Sequence, residues 1–156
     1  MKIKTKIFRL YLDTSVFGGC FDKVFESESI KLFSLAKSGR FIILVSEIVL
    51  KELEDAPQAV KDIIVSLPET VVEKININKE VIKLRDAYLE AKVLTPKWMD
   101  DAGHVATATV FKADAIVSWN FKHIVSLDKM KAYNAVNLMN GYGIITIVTP
   151  KEVIGI

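Results

Sequence analysis

The sequence predicts an α/β domain with a mostly parallel central sheet. Short apolar runs recur along the chain, and stretches whose apolar residues have helical spacing separate them. Strands that alternate with helices build a parallel sheet, because each helix returns the chain to the start of the next strand. With 156 residues the chain is long enough to bury a full core, and we expect a single domain over residues 1–156.

The predicted strands are apolar runs of the kind that is buried on both faces of a sheet. Three are well defined and a fourth closes the chain: Ile7–Leu12, Phe41–Val45, Ala115–Ser118 and Ile144–Val148. Val71–Ile75 is a weaker fifth candidate. Gly18-Gly19, after the first strand, is expected to be a turn.

Helix start and stop signals lie between these strands. Gly39 is a natural end for a helix whose apolar face, Ile30 to Leu35, can serve either the core or a dimer interface. Ser46 and Asn78 are predicted N-caps. The predicted helices are Glu26–Ser38, Glu47–Glu54, Pro57–Ser66, one that follows Asn78, and one from Thr95-Pro96 to about Phe111.

Composition places the chain among globular proteins and narrows its surroundings. It is 51% hydrophobic and 26% charged, with a net charge of +2. A nucleic-acid binder of this charge must therefore cluster its basic residues locally. The lone Cys20 excludes an internal disulfide, and no signal peptide or membrane-spanning run is evident. These features favour a cytoplasmic protein with no membrane partner.

Four polar residues lie within or directly after apolar segments, where a polar group is costly without a partner. Asp13 and Asn120 follow the first strand and the Ala115–Ser118 strand, so both are expected at the carboxyl edge of the sheet, where ligands bind in open α/β folds. Glu52 and Asp101 are expected on helices that reach the same edge. A bound cation is the simplest partner common to all four.

Helix geometry selects these two acids over their neighbours. Glu52 lies three and four residues after Val49 and Ile48 and shares their side, while Glu47 and Glu54 occupy another face. Asp101 aligns with small and apolar residues of its helix, whereas Asp100 aligns with His104. The alternative for either aspartate is an ordinary charge near a helix N-terminus.

Other chemistry is less well supported. Phosphate-cradling glycine motifs and the nucleophile elbow are absent from the sequence, and the segment D-T-S lacks the second acid of an aspartate phosphatase. We interpret His104 as structural, because no further ligand follows at a zinc-like interval. His123 is expected either to contact a phosphate or to cap its loop. Trp98 and Trp119 are expected to pack in the core, with base stacking as the lesser alternative.

The chain resembles PIN-domain proteins of the VapC-type toxin group. The resemblance rests on L-D-T-S, S-E-I-V-L-K-E-L, D-A-G-H-V-A-T-A and I-V-S-W-N-F-K-H-I-V, which occur in the family's order and span almost the whole chain. It implies a three-layer α/β/α sandwich and a Mg²⁺- or Mn²⁺-dependent ribonuclease, often a homodimer held inactive by a small antitoxin protein. By motif match, Asp13, Glu52 and Asp101 are the implied metal-binding acids.

Asn120 departs from the resemblance, because many members carry a fourth acid at this position. An amide oxygen can still coordinate a hard cation or a metal-bound water, but it adds no charge, so one metal is better supported than two. Thr14 and Ser15 are candidates to orient an acid or a water. For contact with RNA, the candidates are the basic residues after the strand, namely Lys122, His123, Lys129 and Lys131.

Two rival functions stay open at this level. A non-catalytic PIN module that binds RNA or protein is motivated by Asn120, and it predicts RNA association without metal. A general phosphatase of the α/β class predicts hydrolysis of small phosphate esters with RNA left intact.

Overall fold

Five parallel strands form the central sheet in the computed structural model, which describes residues 6–155. Their order in the sheet is β3-β2-β1-β4-β5, and every neighbouring pair is parallel. The strands are β1 Phe8–Leu12, β2 Phe41–Ser46, β3 Val72–Ile75, β4 Ala115–Val117 and β5 Ile147–Val148. The predicted parallel sheet is confirmed.

Helices cover both faces of the sheet and complete a three-layer α/β/α sandwich. They are α1 Thr14–Gly19, α2 Glu26–Lys37, α3 Glu47–Leu53, α4 Gln58–Ser66, α5 Lys79–Glu90, α6 Met99–Val110, α7 Leu127–Met139 and α8 Pro150–Val153. Helix α2 packs on α1 and α8, while α5 packs on α6 and α7. Two 3₁₀ turns, Glu69–Val71 and Pro96–Trp98, precede β3 and α6. No helix within residues 6–155 has the length and apolar character needed to cross a membrane.

The predicted helix boundaries are confirmed where a capping residue determines them. The side chain of Ser46 accepts a hydrogen bond from the Val49 amide, and that of Asn78 accepts one from the Val81 amide, so both are N-caps. Gly39 takes a φ of +89° directly after α2, a conformation that favours glycine. Only part of the apolar face of α2 packs in the core, since Phe33 is buried while Ile30 is 53% exposed.

The predicted turn at Gly18-Gly19 is wrong, because both residues belong to α1. Burial of Val16 and Phe17 holds this short helix on the core. Gly19 is needed there for a close approach, since a Cβ would lie 2.6 Å from Ser29 Oγ and 2.9 Å from the Trp119 ring. Tertiary packing, rather than turn chemistry, therefore determines this segment.

Two other predicted boundaries need correction, and two helices were not predicted. The last strand begins at Ile147 rather than Ile144, whose side chain is 71% exposed and lacks a buried site. The helix predicted from Thr95-Pro96 begins as a 3₁₀ turn and becomes α-helical at Met99. Helices α7 and α8 have no counterpart in the sequence-based prediction.

Candidate active site

Asp13 lies where β1 ends, beside the end of β4. Leu12 is level with Val117 across the sheet, and the Asp13 amide donates to the Val117 carbonyl at 3.2 Å. The Asp13 side chain is only 3% exposed, and both of its carboxylate oxygens accept hydroxyl hydrogen bonds. Ser15 Oγ donates to Oδ1 and Ser118 Oγ donates to Oδ2, each at 2.6 Å. The carboxylate is thereby fixed in orientation.

The same two serines anchor the loop after β4. The Trp119 amide donates to Ser15 Oγ and the Asn120 amide donates to Ser118 Oγ, both at 2.9 Å. The loop and the aspartate therefore share the two hydroxyls, so they are positioned together. The hydrogen bond from Ser15 to Asp13 agrees with the prediction that Ser15 orients an acid.

Asn120 has its side chain between the loop backbone and an acid. Its Oδ1 accepts a hydrogen bond from the His123 amide at 2.9 Å, and its side chain opposes part of the rise that burial causes in the pKa of Asp101. The amide oxygen that the sequence offers to a cation is thus engaged in holding the loop. A carbonyl oxygen has two lone pairs, so one acceptor position remains.

Glu52 reaches the site from α3 and is held by two side chains. Thr14 Oγ1 donates to its Oε1 at 3.0 Å, and the same oxygen lies 2.5 Å from His104 Nε2. The other imidazole nitrogen of His104, Nδ1, lies 2.6 Å from the Tyr11 hydroxyl, which in turn is 2.7 Å from Ser46 Oγ. A continuous hydrogen-bonded chain therefore connects Glu52 to the buried N-cap of its own helix.

His104 is the site residue that sequence reasoning placed outside the site. It is 1% exposed, which agrees with a structural role, but its partner is one of the candidate acids. Its position three residues after Asp101 on α6 could have indicated that it lies near the site, because residues at that spacing share a helix face. Its partners Tyr11 and Glu52 are distant from it in sequence, so no local sequence pattern could predict these two contacts.

The ionisable groups of the site influence one another. Burial raises the pKa of Asp13 and the negative charge of Asp101 raises it further, although His104 and the two serines oppose this. Burial likewise raises the pKa of Asp101, assisted by the charge of Glu52. Two acids are thus held where their ionised forms are disfavoured.

His104 and Glu52 shift in the directions expected of an ion pair. Burial alone would lower the pKa of His104, but the hydrogen bond to Glu52 and the charges of Asp13, Glu52 and Asp101 raise it overall. Burial alone would raise the pKa of Glu52, but the hydrogen bonds from His104 and Thr14 lower it overall. His104 is therefore the positive partner that Asp13, Glu52 and Asp101 share.

The donor set fits a hydrated hard cation rather than a closed metal cage. Within residues 6–155, no three His, Cys, Asp or Glu side chains are close enough to hold a metal together. Mg²⁺ commonly uses one or two carboxylates and keeps several waters, so it does not need three direct ligands. The disfavoured charges of Asp13 and Asp101 are those that such an ion would stabilise.

Aromatic and basic side chains border the site where α6 begins. The rings of Trp98 and His123 lie 4.2 Å apart between centroids, with an angle of 31° between their planes. Lys97 Nζ and Lys122 Nζ lie 5.0 Å and 5.8 Å from the centre of the Trp98 ring. Lys129 points elsewhere, since its Nζ donates to the Val93 carbonyl at 2.5 Å.

Trp119 lies on the other side of the loop and packs inward. Its ring stacks on Phe25 with centroids 4.3 Å apart, and its Nε1 donates to Ser29 Oγ at 2.8 Å. The packing role predicted for this tryptophan agrees with these contacts. Phe121, two residues on, is 52% exposed.

Fold and site together define an α/β/α protein with an acidic site at the carboxyl edge of its parallel sheet. The chain belongs to the PIN domain family, because a model of that family matches residues 9–122. The match runs from β1 through the loop that holds Asn120, so it includes all four candidate residues: Asp13, Glu52, Asp101 and Asn120. The predicted membership in the PIN-domain family is confirmed.

A solved structure shares this fold. It is the crystal structure of VapBC2 from Rickettsia felis bound to a DNA fragment from their promoter, with a TM-score of 0.57 and 20% identity. The alignment covers 90% of this chain and 98% of that chain. At this identity the likeness establishes the fold. No curated protein matches the sequence.

Proposed function

We propose that this protein is a metal-dependent ribonuclease that cleaves RNA phosphodiester bonds, and that it is the toxin of a type II toxin–antitoxin pair. The observation that carries the proposal is the grouping of Asp13, Glu52 and Asp101 at the carboxyl edge of a PIN-domain sheet. Hydroxyls, an amide and an imidazole hold these acids, so their excess negative charge is available to a cation.

The ion in this proposal is Mg²⁺ or Mn²⁺, which Asp13, Glu52 and Asp101 would hold through one or two direct carboxylate bonds and through bound waters. When bound, such an ion lowers the pKa of a water for attack on phosphorus and stabilises charge on the phosphoryl oxygens. The carboxylate of Asp13 is pre-oriented by Ser15 and Ser118, and that of Glu52 by Thr14 and His104. Pre-oriented ligands reduce the cost of ordering the site when the ion binds.

We propose that Asn120 is a positioning residue. The sequence predicts a catalytic contribution from Asn120, and we propose that it makes this contribution through the residues that it contacts. It fixes the loop through the His123 amide, and it opposes part of the rise that burial causes in the pKa of Asp101. Lys122 and His123 follow on the same loop, where we propose that they contact the substrate. Thr14 and Ser15 act through the acids that they orient.

The toxin role is supported by the shared fold with a chain from the VapBC2 complex. We propose a small antitoxin protein as the partner, a cytoplasmic location, and a homodimer. The exposed Ile30 of α2 is the candidate contact for a second copy. Size-exclusion chromatography of the wild type and Ile30→Ser tests the homodimer, because the substitution should shift the dimer towards monomer.

Cleavage of a labelled RNA by the purified protein tests the proposed chemistry. We expect cutting with Mg²⁺ or Mn²⁺ and none in chelator. Asp101→Asn should abolish it, while Asp100→Asn is a matched control one residue away whose side chain is exposed. Equal loss in both variants, or cleavage that survives chelation and Asp101→Asn, would contradict the assignment.

A non-catalytic RNA-binding module is the second candidate, and one observation favours it. The oxygen of Asn120 is engaged by the His123 amide, so the fourth position contributes no charge to the site. This alternative predicts RNA association in chelator with no cleavage after Mn²⁺ is added. Cleavage by the wild type that appears on adding Mn²⁺ would exclude it.

A further inference from the structure

The two-ring surface of Trp98 and His123 adjoins the acids through two chain segments. Trp98 directly precedes α6, whose first turn carries Asp101. The backbone amide of His123 donates a hydrogen bond to Asn120 Oδ1, and both His123 and Asn120 influence the pKa of Asp101. The two rings therefore lie next to the acidic site.

The Trp98 ring packs on His123 and remains partly exposed. His123 is 8% exposed and packs against Trp98 with the two ring planes tilted by 31°, whereas Trp98 itself is partly exposed. Packing on a buried residue fixes the orientation of the indole. A fixed and partly exposed indole provides the flat apolar face on which a nucleobase stacks.

Two exposed lysines concentrate positive charge beside the Trp98 ring, whereas the chain as a whole carries little net charge. Lys97 and Lys122 hold their ammonium groups 5.0 Å and 5.8 Å from the indole centre, within reach of a cation–π interaction. Both side chains are long and their residues are exposed, so they can turn to phosphates on either side of a stacked base. This is the local basic cluster that a chain of net charge +2 requires in order to bind RNA.

We propose that Trp98, backed by His123 and flanked by Lys97 and Lys122, is a subsite for an unpaired nucleobase next to the phosphodiester at the acidic site. The inference rests on the proposed ribonuclease function and specifies its substrate as single-stranded at this position. A paired base is stacked within its own helix and cannot lie on the indole. Stacking is tolerant of base identity, so the subsite selects unpaired RNA more than sequence.

The experiment measures binding of a fluorescent single-stranded RNA and of the same RNA with single abasic sites, with chelator present to prevent metal-dependent cleavage. Trp98→Leu should weaken binding of the intact RNA by about tenfold, and Trp98→Phe should recover most of it. One abasic position should weaken wild-type binding by a similar factor and leave Trp98→Leu almost unchanged. Phe121→Leu, an exposed aromatic outside the subsite, should behave as the wild type.

The pattern of losses distinguishes stacking from a purely structural role. If every abasic position weakens Trp98→Leu as much as the wild type, Trp98 contacts no base and the proposal is overturned. A thermal melt of each variant controls for folding, and Trp98→Phe retains a ring if Trp98→Leu unfolds. In that case, a failure of Trp98→Phe to keep the wild-type abasic dependence also overturns the proposal.

Cleavage of the same RNA in Mn²⁺ separates this inference from the proposed function. If the wild type cleaves the RNA but its binding does not depend on Trp98, the ribonuclease proposal stands and the subsite proposal is overturned. Trp98-dependent binding without cleavage keeps the subsite and contradicts the ribonuclease. Absence of any single-stranded RNA binding by the wild type overturns the subsite, whatever the cleavage result.

Discussion

The two ends of the same sheet treat their acids in opposite ways. At the amino ends of the strands, the guanidinium of Arg9 binds both carboxylate oxygens of Glu73 at 2.8 and 2.9 Å. Asp114 accepts from Lys6 Nζ at 2.7 Å and from the Arg9 amide at 2.8 Å. At the carboxyl ends, Asp13 accepts from neutral serine hydroxyls instead.

The pKa directions follow this difference in partners. Burial would raise the pKa of Asp114, but Lys6 and the Arg9 amide lower it overall. At the other end, burial raises the pKa of Asp13 and of Asp101, and the charges of Asp101 and Glu52 add to the rise at Asp13 and at Asp101, respectively. Each acid at the amino ends has a basic partner of its own, whereas the three acids of the site share His104, so negative charge is in excess there. We therefore expect substitutions at the two ends to affect different properties.

The largest expected effect is on catalysis at the carboxyl end. Asp13→Asn keeps the shape of the side chain but removes the charge of a proposed metal ligand, so RNA cleavage should fall by about a hundredfold or more. Asp114→Asn is the matched substitution at the amino end and should leave cleavage within about twofold of the wild type. Initial rates on a labelled RNA in Mn²⁺ check both. Equal activity in the two variants would remove the distinction between the ends.

The next effect concerns the hydrogen-bonded chain behind Glu52. His104→Ala removes the hydrogen bonds of His104 to Tyr11 and to Glu52, and it should lower the free energy of unfolding by about 1 to 3 kcal/mol. Thr14→Val removes only the partly exposed hydrogen bond to the same Glu52 oxygen and should cost less than about 1 kcal/mol. Urea denaturation in chelator measures both. A larger loss in Thr14→Val would mean that His104 does not hold the site.

The paired acid at the amino end should contribute to stability alone. Asp114→Asn weakens the contact with Lys6 at a partly exposed site, where solvent screening keeps the expected loss to about 1 kcal/mol. The pKa of Asp114 is lowered in the folded state, so its contribution is present above the ordinary value of 3.8 and is lost as the pH falls through the lowered pKa. Urea denaturation near neutral pH checks the size, and no loss of stability there would contradict it.

The smallest effect is a pH dependence of opposite sign at the site. The pKa of His104 is raised in the folded state, so its contribution is complete below the ordinary value of 6.5 and is lost as the pH rises through the raised pKa. The raised pKa values of Asp13 and Asp101 act in the same direction, from the ordinary value of 3.8 upward. In chelator, the free energy of unfolding should therefore fall from pH 6 to pH 9, and by less in His104→Ala. A rise over this interval would contradict the prediction.

Features set by neighbouring residues were predictable from the sequence. Ser46 and Asn78 cap their helices as expected, because a cap needs only the next three residues. The positions of Asp13 and Asn120 at one edge follow from strand ends in a parallel sheet. The family resemblance to PIN domains agreed with these assignments.

Features set by distant contacts were not predictable. Helix α7 lacks a clear apolar face, since Leu127 is 69% exposed while Asn137 is buried and bonded to Tyr88. Tyr11 and His104 are 93 residues apart, so their contact leaves no spacing to recognise. The role of His104 beside Glu52 therefore emerges only from the folded chain.

Thermal unfolding with and without Mn²⁺ tests most directly whether the carboxyl-end acids need an external cation. Because an ion that binds the folded state stabilises it, Mn²⁺ should raise the melting temperature of the wild type and of Asp114→Asn. It should leave Asp13→Asn unchanged, although in chelator that variant should melt no lower than the wild type. An equal rise in Asp13→Asn, or no rise in the wild type at millimolar Mn²⁺, would contradict the account.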